Sequence, residues 1–343
     1  MKHLLNTLFV TTQGAYLSKE GETVVVSIER EEKLRVPIHT LGGIVCFGNV
    51  MCSPFLFGLC GERNVHISFL TENGRFLGRL HGPVSGNVLL RKEQYRVSDD
   101  EIHSALIARN IVTAKISNCR NVVMRARREA EDKTDVPSLS RVADRLAASL
   151  DDIERAKNLD EVRGIEGEAA KSYFDSFNDL IVCQKEDFFF YGRSRRPPMD
   201  NTNALLSFLY TILAHDVGSA LEGVGLDPAV GFLHRNRPGR HGLALDIMEE
   251  FRPYLADRLV LSLINRQQIK GSTFKKTESG GVVMDDETRK TVLVAWQKRK
   301  QEEITHPFLD EKIQIGLLPH VQALLMSRYL RGELNGYPPF LWK

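Results

Sequence analysis

The sequence has few cysteines, little net charge and no long apolar run, and each of these absences argues against a class of protein. Its five cysteines are an odd number and none forms a CxxC pair, which argues against both a disulfide framework and a zinc cluster. Its 46 basic residues nearly balance its 44 acidic residues, so the net charge is only +2. Any surface that binds nucleic acid must therefore come from local clusters of arginine and lysine.

Signals of a secreted or membrane protein are also missing. The N-terminal stretch MKHLLNTLFVTTQGAYL is interrupted by Asn6, Thr11, Thr12 and Gln13, and it lacks a sustained apolar core and a cleavage pattern. We find no other segment that approaches a membrane span, and no internal repeat or low-complexity tract. We therefore expect a cytoplasmic protein without membrane contact, and its 343 residues predict two domains.

The first part of the chain has the pattern of a β domain. From residue 7 to about residue 80, short β-branched and aromatic runs alternate with turns. The runs are TLFVT, AYLS, TVVVSIE, KLRVPI, GGIVCF, VHISFL and RFLGRL. KEGE at 19–22 and TENG at 71–74 are typical hairpin turns, and the apolar segment 51–60 predicts one helix packed on the sheet.

After the Gly/Pro-rich boundary HGPVSGN at 81–87, the pattern becomes helical. We expect a polar linker at 87–99 and helices at 100–118, 119–132, 138–158, 161–180, 200–223, 243–263, 285–303 and 315–332. The predicted fold class is α+β, with a small N-terminal β-rich domain (1–86) and a larger all-α domain (100–343). The tail NGYPPFLWK has no helical period and docks either on a partner or on its own domain.

A histidine, a Gly/Pro loop and an acidic helix lie close together in GFLHRNRPGRHGLALDIMEEFRPY at 231–254. Asp246, Glu249 and Glu250 are spaced i, i+3 and i+4, which places them along one side of a helix opposite apolar residues. The proline and glycine of RPGR end any preceding helix, so the loop should carry His234 over the acids. This pattern suits a divalent metal, although a solvated acidic face beside a loop histidine explains it as well.

A second stretch, GIEGEAAKSYFDSF at 164–177, places an acid within an apolar stripe. On a helical wheel Glu166 shares the face of Ala170, Tyr173 and Phe177, whereas Glu168 points nearly the opposite way. A buried carboxylate without a partner is costly, so Glu166 needs a cation, a hydrogen-bonding partner or a metal. The plain alternative is a buried salt bridge to an arginine.

Two segments have the composition of nucleic-acid contacts. DFFFYGRSRRPP at 187–198 joins four aromatic residues to three arginines, and STFKKTESGG at 272–281 is polar and carries two lysines. Bases stack on aromatic rings, while guanidinium and ammonium groups pair with phosphates. The phenylalanines at 188–190 fit a core position equally well, and 272–281 is otherwise a mobile loop. The candidate DNA contacts are Arg193, Arg195, Arg196, Lys275 and Lys276.

Four blocks follow one another in a fixed order and spacing: GIEG at 164–167, RSRRPPMDNTNALLSFLYTIL from 193, GLDPAVGFLH from 225 and LALDIMEEFRP from 243. Together they resemble the universal CRISPR adaptation integrase, the Cas-one family, and the similarity runs over nearly the whole chain. The length and the RSRRPP form suggest the subtype I-C branch. The resemblance implies a β-rich N-terminal domain that forms a homodimer, a helical catalytic domain and one divalent metal ion.

The resemblance also implies which residues bind that metal. The glutamate of GIEG is Glu166 and the histidine of the GFLH block is His234. The acidic pair of the family corresponds to Asp246 and Glu249; we favour Glu249 as the third ligand, with Asp246 close by or as the alternative ligand. Family members often have aspartate where Glu249 stands. Oxygen ligands with a single imidazole favour Mg²⁺ or Mn²⁺ over a closed zinc site.

The implied reaction is a phosphodiester transesterification, in which a DNA 3′-hydroxyl attacks the edge of a CRISPR repeat and joins a captured spacer to it. The implied partners are double-stranded DNA (spacer and CRISPR repeat), a second copy of the chain, and the small Cas-two protein, which bridges two dimers into a heterohexamer. Two alternatives stay open. One is a metal-dependent endonuclease or branched-DNA resolving enzyme with water as nucleophile, and the other is a non-catalytic DNA-binding scaffold of the same fold.

Overall fold

The computed structural model describes residues 5–80, 82, 88–131 and 137–342. The chain forms two compact units. The first contains Met1–Ser85, Met284–Glu302 and Gln314–Leu317, and the second contains Gly86–Val283, Glu303–Ile313 and Leu318–Lys343. Except for Gly82, the predicted boundary at 81–87 lies outside the described residues. A β-rich N-terminal part followed by a largely helical part confirms the predicted α+β class.

Two four-stranded sheets and one helix make up the N-terminal part of the first unit. The elements are β1 (Asn6–Val10), β2 (Tyr16–Glu20), β3 (Thr23–Ile28), β4 (Glu31–Pro37), β5 (Leu41–Phe47), β6 (Met51–Cys52), α1 (Pro54–Glu62), β7 (His66–Leu70) and β8 (Phe76–Leu80). One sheet has the order β1-β5-β7-β8 and the other β4-β3-β2-β6. All seven predicted strands form, and both predicted turns join antiparallel strands.

The first unit has one apolar core and one helix from late in the chain. Val24, Ile44 and Leu56 are among the fully buried side chains of this core. The predicted helix 51–60 begins later, at Pro54, because Met51 and Cys52 pair with β2 and the Ser53 hydroxyl caps the helix. Helix α9 (Asp286–Gln301), which we expected in the all-α domain, belongs to this unit.

Helices dominate the second unit. They are α2 (Val88–Asp99), α3 (Glu101–Glu131), α4 (Pro137–Arg155), α5 (Leu159–Asp175), α6 (Asn201–Gly223), α7 (Gly242–Phe251), α8 (Arg258–Asn265) and α10 (Leu318–Leu330). Side-chain caps begin three of them: Asp100 accepts from the His103 amide before α3, Asn158 from the Glu161 amide before α5, and Asp200 from the Asn203 amide before α6. Helix α3 packs against α4, α5 and α7, so it forms the centre of the unit.

The structure corrects several predicted elements. Residues 88–99, expected as a linker, form α2, because Leu90, Gln94 and Val97 bury one face of it. The helices predicted at 100–118 and 119–132 are one helix, since no glycine or proline separates them. The part predicted as all-α also contains four short strands, β9 (Phe274–Lys276), β10 (Val282–Met284), β11 (Glu303–Thr305) and β12 (Lys312–Gln314).

Helix α6 differs from the expectation that no segment approaches a membrane span. Among the described residues, it is the one helix that is long and apolar enough to cross a membrane, judged by length and composition alone. However, 72% of its most apolar 18-residue window is buried inside the protein. Its apolar character is therefore accounted for by the core that it fills.

The C-terminal tail docks on its own unit, which resolves the two alternatives left by the sequence. Tyr337 and Phe340 are buried. The Phe340 amide donates to the Glu250 carboxylate (2.8 Å), and the Trp342 amide donates to the Asn118 side chain on α3 (2.9 Å). The tail thus packs against α3 and α7, the two helices that carry part of the candidate site.

Candidate active site

A histidine held by a buried aspartate forms the first part of the site. The Asp246 side chain is fully buried in the middle of α7. Its Oδ1 lies 2.6 Å from Nδ1 of His234 and accepts from the His234 amide at 3.0 Å. Because a carboxylate can only accept, the ring proton is on Nδ1, and Nε2 keeps its lone pair. His234 is therefore oriented as a ligand or base through Nε2.

The loop before α7 is drawn onto Asp246 by its backbone. Oδ2 of Asp246 accepts from the amides of Phe232 (2.6 Å) and Leu233 (2.9 Å). A Cβ at Gly231 would lie 2.6 Å from Oδ2 of Asp246, and a Cβ at Gly242 would lie 2.8 Å from the Ala229 carbonyl. Only glycine allows these two backbone segments to approach so closely. Asp246 thus fixes both the path of the loop and the ring that the loop carries.

Glu249 forms the second part of the site, one turn further along α7. It is buried, with Oε1 2.7 Å from the Arg252 guanidinium and Oε2 2.7 Å from Nζ of Lys115 on α3. The lysine contact is an ion pair without good hydrogen-bond geometry, so Oε2 has no hydrogen-bond partner. Burial alone would raise the pKa of Glu249, but the charges of Arg252 and Lys115 are the main causes that outweigh it and lower the pKa.

Glu166, on α5, is the third predicted ligand, after His234 on the loop and Glu249 on α7. Its carboxylate forms an ion pair with Lys115, and 26% of its side chain is exposed, whereas Glu168 is exposed on the other side of the helix. The partner that the sequence required is thus a lysine, and the predicted alternative of an arginine is wrong. Burial would lower the pKa of Lys115, but Glu249 and Glu166 outweigh it and raise the pKa.

The acidic edge predicted for α7 is not a solvated face. Asp246, Glu249 and Glu250 are all buried. Glu250 accepts from Gln322, from the Tyr337 hydroxyl and from the backbone of the tail. Burial raises the pKa of Glu250 to about 8, although hydrogen bonds from Tyr337, Phe340 and Gln322 act in the opposite direction. Glu250 belongs to the packing of the tail.

A π-helical turn over Arg252–Asp257 separates α7 from α8, where the sequence predicted one continuous helix. Pro253 has no amide to donate, and the Arg258 amide bonds back to the Pro253 carbonyl. The turn directs Arg252 onto Glu249 and over the Tyr210 ring, 4.5 Å from its centroid. Asp257 accepts from the hydroxyls of Tyr210 (2.6 Å) and Tyr173 (3.0 Å).

The donor set fits a divalent cation, although it is arranged around a lysine. Within residues 5–80, 82, 88–131 and 137–342, no three His, Cys, Asp or Glu side chains are placed so that they could hold a metal ion together. Lys115 stands between Glu166 and Glu249, and Glu249 Oε2 is buried without a hydrogen bond. Two carboxylates beside an oriented imidazole are suitable ligands for Mg²⁺ or Mn²⁺.

The three predicted arginines differ in environment. Arg195 and Arg196 are exposed, whereas Arg193 is half-buried and donates to Asn203, Ser207 and the Ser194 carbonyl. Burial lowers the pKa of Arg193. Its guanidinium is thus engaged inside the unit, and only the other two arginines are presented to solvent. In the aromatic run, Phe188 and Phe190 are buried in the core, and Tyr191 is 88% exposed.

Lys275 and Lys276 lie beside this arginine segment. Both are exposed on β9, which pairs with β10 in a hairpin, so the segment predicted as a mobile loop is partly a strand. The Val282 amide donates to the Pro198 carbonyl (2.8 Å), and a Cβ on Gly281 would lie 2.6 Å from the Pro197 side chain. The hairpin therefore packs on the double proline that follows Arg196.

Sequence reasoning missed Lys115 and Arg252. A signal for Lys115 exists, because it is the only charged residue between Arg109 and Arg120 on α3. Arg252 follows Glu249 by three residues, a spacing that places the two side chains together on a helix. The partners of Lys115 come from other segments, however, and contacts between α3, α5 and α7 are not visible in local spacing.

The fold and the site define an α+β protein whose helical unit brings two glutamates, an aspartate-held histidine and a buried lysine together. A family model described as CRISPR associated protein Cas1 matches residues 8–298. The chain belongs to the Cas1 family, which confirms the resemblance seen in the sequence.

Known relatives cover the whole chain. A protein of Chlorobaculum tepidum named CRISPR-associated endonuclease Cas1 1 is 55% identical over 343 residues, which is 100% of both chains. A Cas1 structure from Thermotoga maritima has a TM-score of 0.82 at 25% identity and covers 98% of this chain and 100% of its own.

Two further structures share the fold. A casposase bound to integration product has a TM-score of 0.82 at 20% identity, and covers 99% of this chain and 95% of its own. A Cas6-RT-Cas1–Cas2 complex has a TM-score of 0.84 at 22% identity, and covers 100% of this chain but 36% of its own.

Proposed function

We propose that the protein is the integrase of CRISPR adaptation, which joins the 3′-hydroxyl of spacer DNA to a CRISPR repeat by metal-dependent transesterification. The observation that carries the proposal is that Glu166 and Glu249, from two helices, both contact Lys115, while Asp246, on the helix of Glu249, orients the His234 ring. Support from similarity comes from relatives named Cas1 endonucleases and from a casposase bound to integration product.

Glu166, His234 through Nε2 and Glu249 through Oε2 would hold one Mg²⁺ or Mn²⁺ ion. Bound there, the ion would supply charge neutralisation at a scissile phosphate and align the attacking and leaving oxygens. Asp246 keeps the imidazole proton on Nδ1 and fixes the ring, and Arg252 holds the other oxygen of Glu249 in place. Because one phosphodiester replaces another, the reaction requires no nucleotide hydrolysis.

DNA would bind along the exposed basic segments of the helical unit. Arg195 and Arg196 project to solvent beside the hairpin that carries Lys275 and Lys276. Such contacts go to backbone phosphates, so they set the register of the DNA and contribute little to sequence choice. The exposed Tyr191 next to them is the aromatic residue of its run that remains available to stack on a base.

The partners proposed are a second copy of the chain, through the β-rich domain, and the small Cas2 protein, which would bridge two dimers into a heterohexamer. The similar fold in a Cas6-RT-Cas1–Cas2 complex supports a Cas2 partner. Two active sites in one assembly would address the two ends of one spacer. The place of action would be the cytoplasm, where the CRISPR DNA lies.

A joining assay tests the proposal. Purified protein, with or without its Cas2 partner, is given a labelled spacer duplex, a plasmid with CRISPR repeats, and Mg²⁺ or Mn²⁺. We expect Glu166→Gln and His234→Ala to abolish joining while DNA binding persists. Glu168→Gln is the matched control, because this residue is exposed on the opposite side of the same helix.

The outcome separates the competing functions. Joining at the wild-type rate in Glu166→Gln or His234→Ala would remove the proposed metal site. Cleavage without strand joining, lost in the same variants, would assign the protein to the hydrolytic endonucleases. DNA binding with neither reaction would indicate a non-catalytic scaffold.

A further inference from the structure

The Lys115 ammonium lies between the two glutamates that would hold the metal. Its side chain is 9% exposed, and its Nζ contacts Oε1 of Glu166 and lies 2.7 Å from Oε2 of Glu249. The other oxygen of Glu249 is held by Arg252. An ion that binds Glu249 therefore needs the Oε2 atom that Lys115 contacts.

We infer that Lys115 is a resident cation that competes with the divalent metal for Glu166 and Glu249 and yields when DNA arrives. The inference rests on the metal site of the proposed function. A DNA phosphodiester offers the ammonium a new anionic partner as it leaves the glutamates. Lys115 is thus a positioning residue that couples metal binding to DNA binding.

The charges around the site give the sign of this coupling. Counting the imidazole as neutral, three carboxylates (Glu166, Asp246 and Glu249) face two cations (Lys115 and Arg252), which leaves one negative charge. A divalent ion reverses this to one positive charge, and one phosphodiester then cancels it. Because an unbalanced buried charge is costly, the metal and the DNA each favour the binding of the other.

The test measures Mn²⁺ affinity rather than activity. Mn²⁺ is titrated into the full chain without DNA, by electron paramagnetic resonance of the free ion or by calorimetry. Lys115→Met removes the competing charge, so we expect it to bind Mn²⁺ about tenfold more tightly or better. Lys171→Met, at an exposed position of α5, is the matched control and should behave as wild type. A merely structural lysine would give the opposite sign, since a loosened site binds metal less well.

A second titration in the presence of a short DNA duplex tests the coupling. DNA should tighten Mn²⁺ binding to wild type and lose this effect in Lys115→Met, whose site is already neutral with the metal bound. If Lys115→Met does not fold, Lys115→Gln keeps most of the packing and is measured in its place. Unchanged or weaker Mn²⁺ binding in these variants overturns the inference.

A further pair of variants separates this failure from failure of the proposed function. His234→Ala and Glu166→Gln should each bind Mn²⁺ more weakly than the wild-type protein does. If they do so while Lys115→Met has no effect, the metal site stands and the role of Lys115 is wrong. If neither changes Mn²⁺ binding, the metal site and the inference both fall.

Discussion

Replacing Asp246 with asparagine should move a proton on the His234 ring. Asp246 accepts four hydrogen bonds, from the amides of Phe232, Leu233 and His234 and from the ring Nδ1. Asparagine keeps one oxygen, and its amide nitrogen must face two of these donors. If it faces the Phe232 and Leu233 amides, two hydrogen bonds are lost, each worth about 1.5–3 kcal/mol to a charged acceptor.

The other orientation costs less, because the ring can adapt. With the new amide group facing His234, the ring proton moves to Nε2 and Nδ1 accepts from Asn, so only the bond from the His234 amide is lost. The net destabilisation is then about 2–4 kcal/mol, including the loss of the charge. Nε2 now carries a proton in place of a lone pair. Metal affinity should therefore fall about 10- to 100-fold.

Urea unfolding, a Mn²⁺ titration and ¹⁵N NMR of the ring nitrogens measure the three effects on Asp246→Asn. Asp227→Asn is the matched control, because Asp227 caps the same loop with a half-buried side chain but makes no contact with His234. In a His234→Ala background, Asp246→Asn should cause no further loss of Mn²⁺ affinity. A ring that keeps its proton on Nδ1, or a further loss in that background, would refute the account of Asp246.

Two other predictions follow from buried and exposed charges in the same unit. Burial raises the pKa of the Asp257 carboxyl from 3.8 to about 6, so the folded state binds the carboxyl proton more tightly than the unfolded state does. The folded state therefore loses stability as the pH rises from about 4 to about 6. Asp257→Asn should therefore gain about 2 kcal/mol relative to wild type between pH 4 and pH 7, as measured by urea unfolding with EDTA present; a constant difference would contradict the shift. Arg195→Ala with Arg196→Ala should weaken DNA binding and reduce the slope of log K against log salt by about 2, whereas Arg193→Ala should mainly lower the melting temperature. An unchanged salt slope in the double variant would remove these two arginines from the DNA surface.

Local patterns predicted the β-rich domain well, because each strand is a short apolar run closed by a turn. Val24, Val25 and Val26 are buried as a β-branched run should be. The points at which the helices begin and end were predicted less well. The π-turn after Phe251 depends on how Pro253 packs in the core, and the burial of α2 depends on Gln94, whose side chain bonds to the Asp227 and Val230 carbonyls.

For the candidate site, local spacing in the sequence indicated Glu166, His234 and the acids of α7. It did not indicate which side chains they contact, because several of those partners lie far away in the chain. Glu166 meets a lysine 51 residues earlier in the chain, and Asn118 bonds to the Phe340 carbonyl 222 residues later. Arg193 is a different case. Its place in an arginine-rich run indicated a phosphate contact, but Asn203 and Ser207 on α6 engage it.

The contact between Gly231 and Gly242 makes the shape of the site depend on two hydrogens in place of methyl groups. A single added carbon at either position would push the backbone away from Asp246 and carry the imidazole with it. Residues 235–239, just beyond His234, are exposed. Mutational libraries aimed at new specificity can therefore vary the exposed residues 235–239, provided that Gly231 and Gly242 are kept.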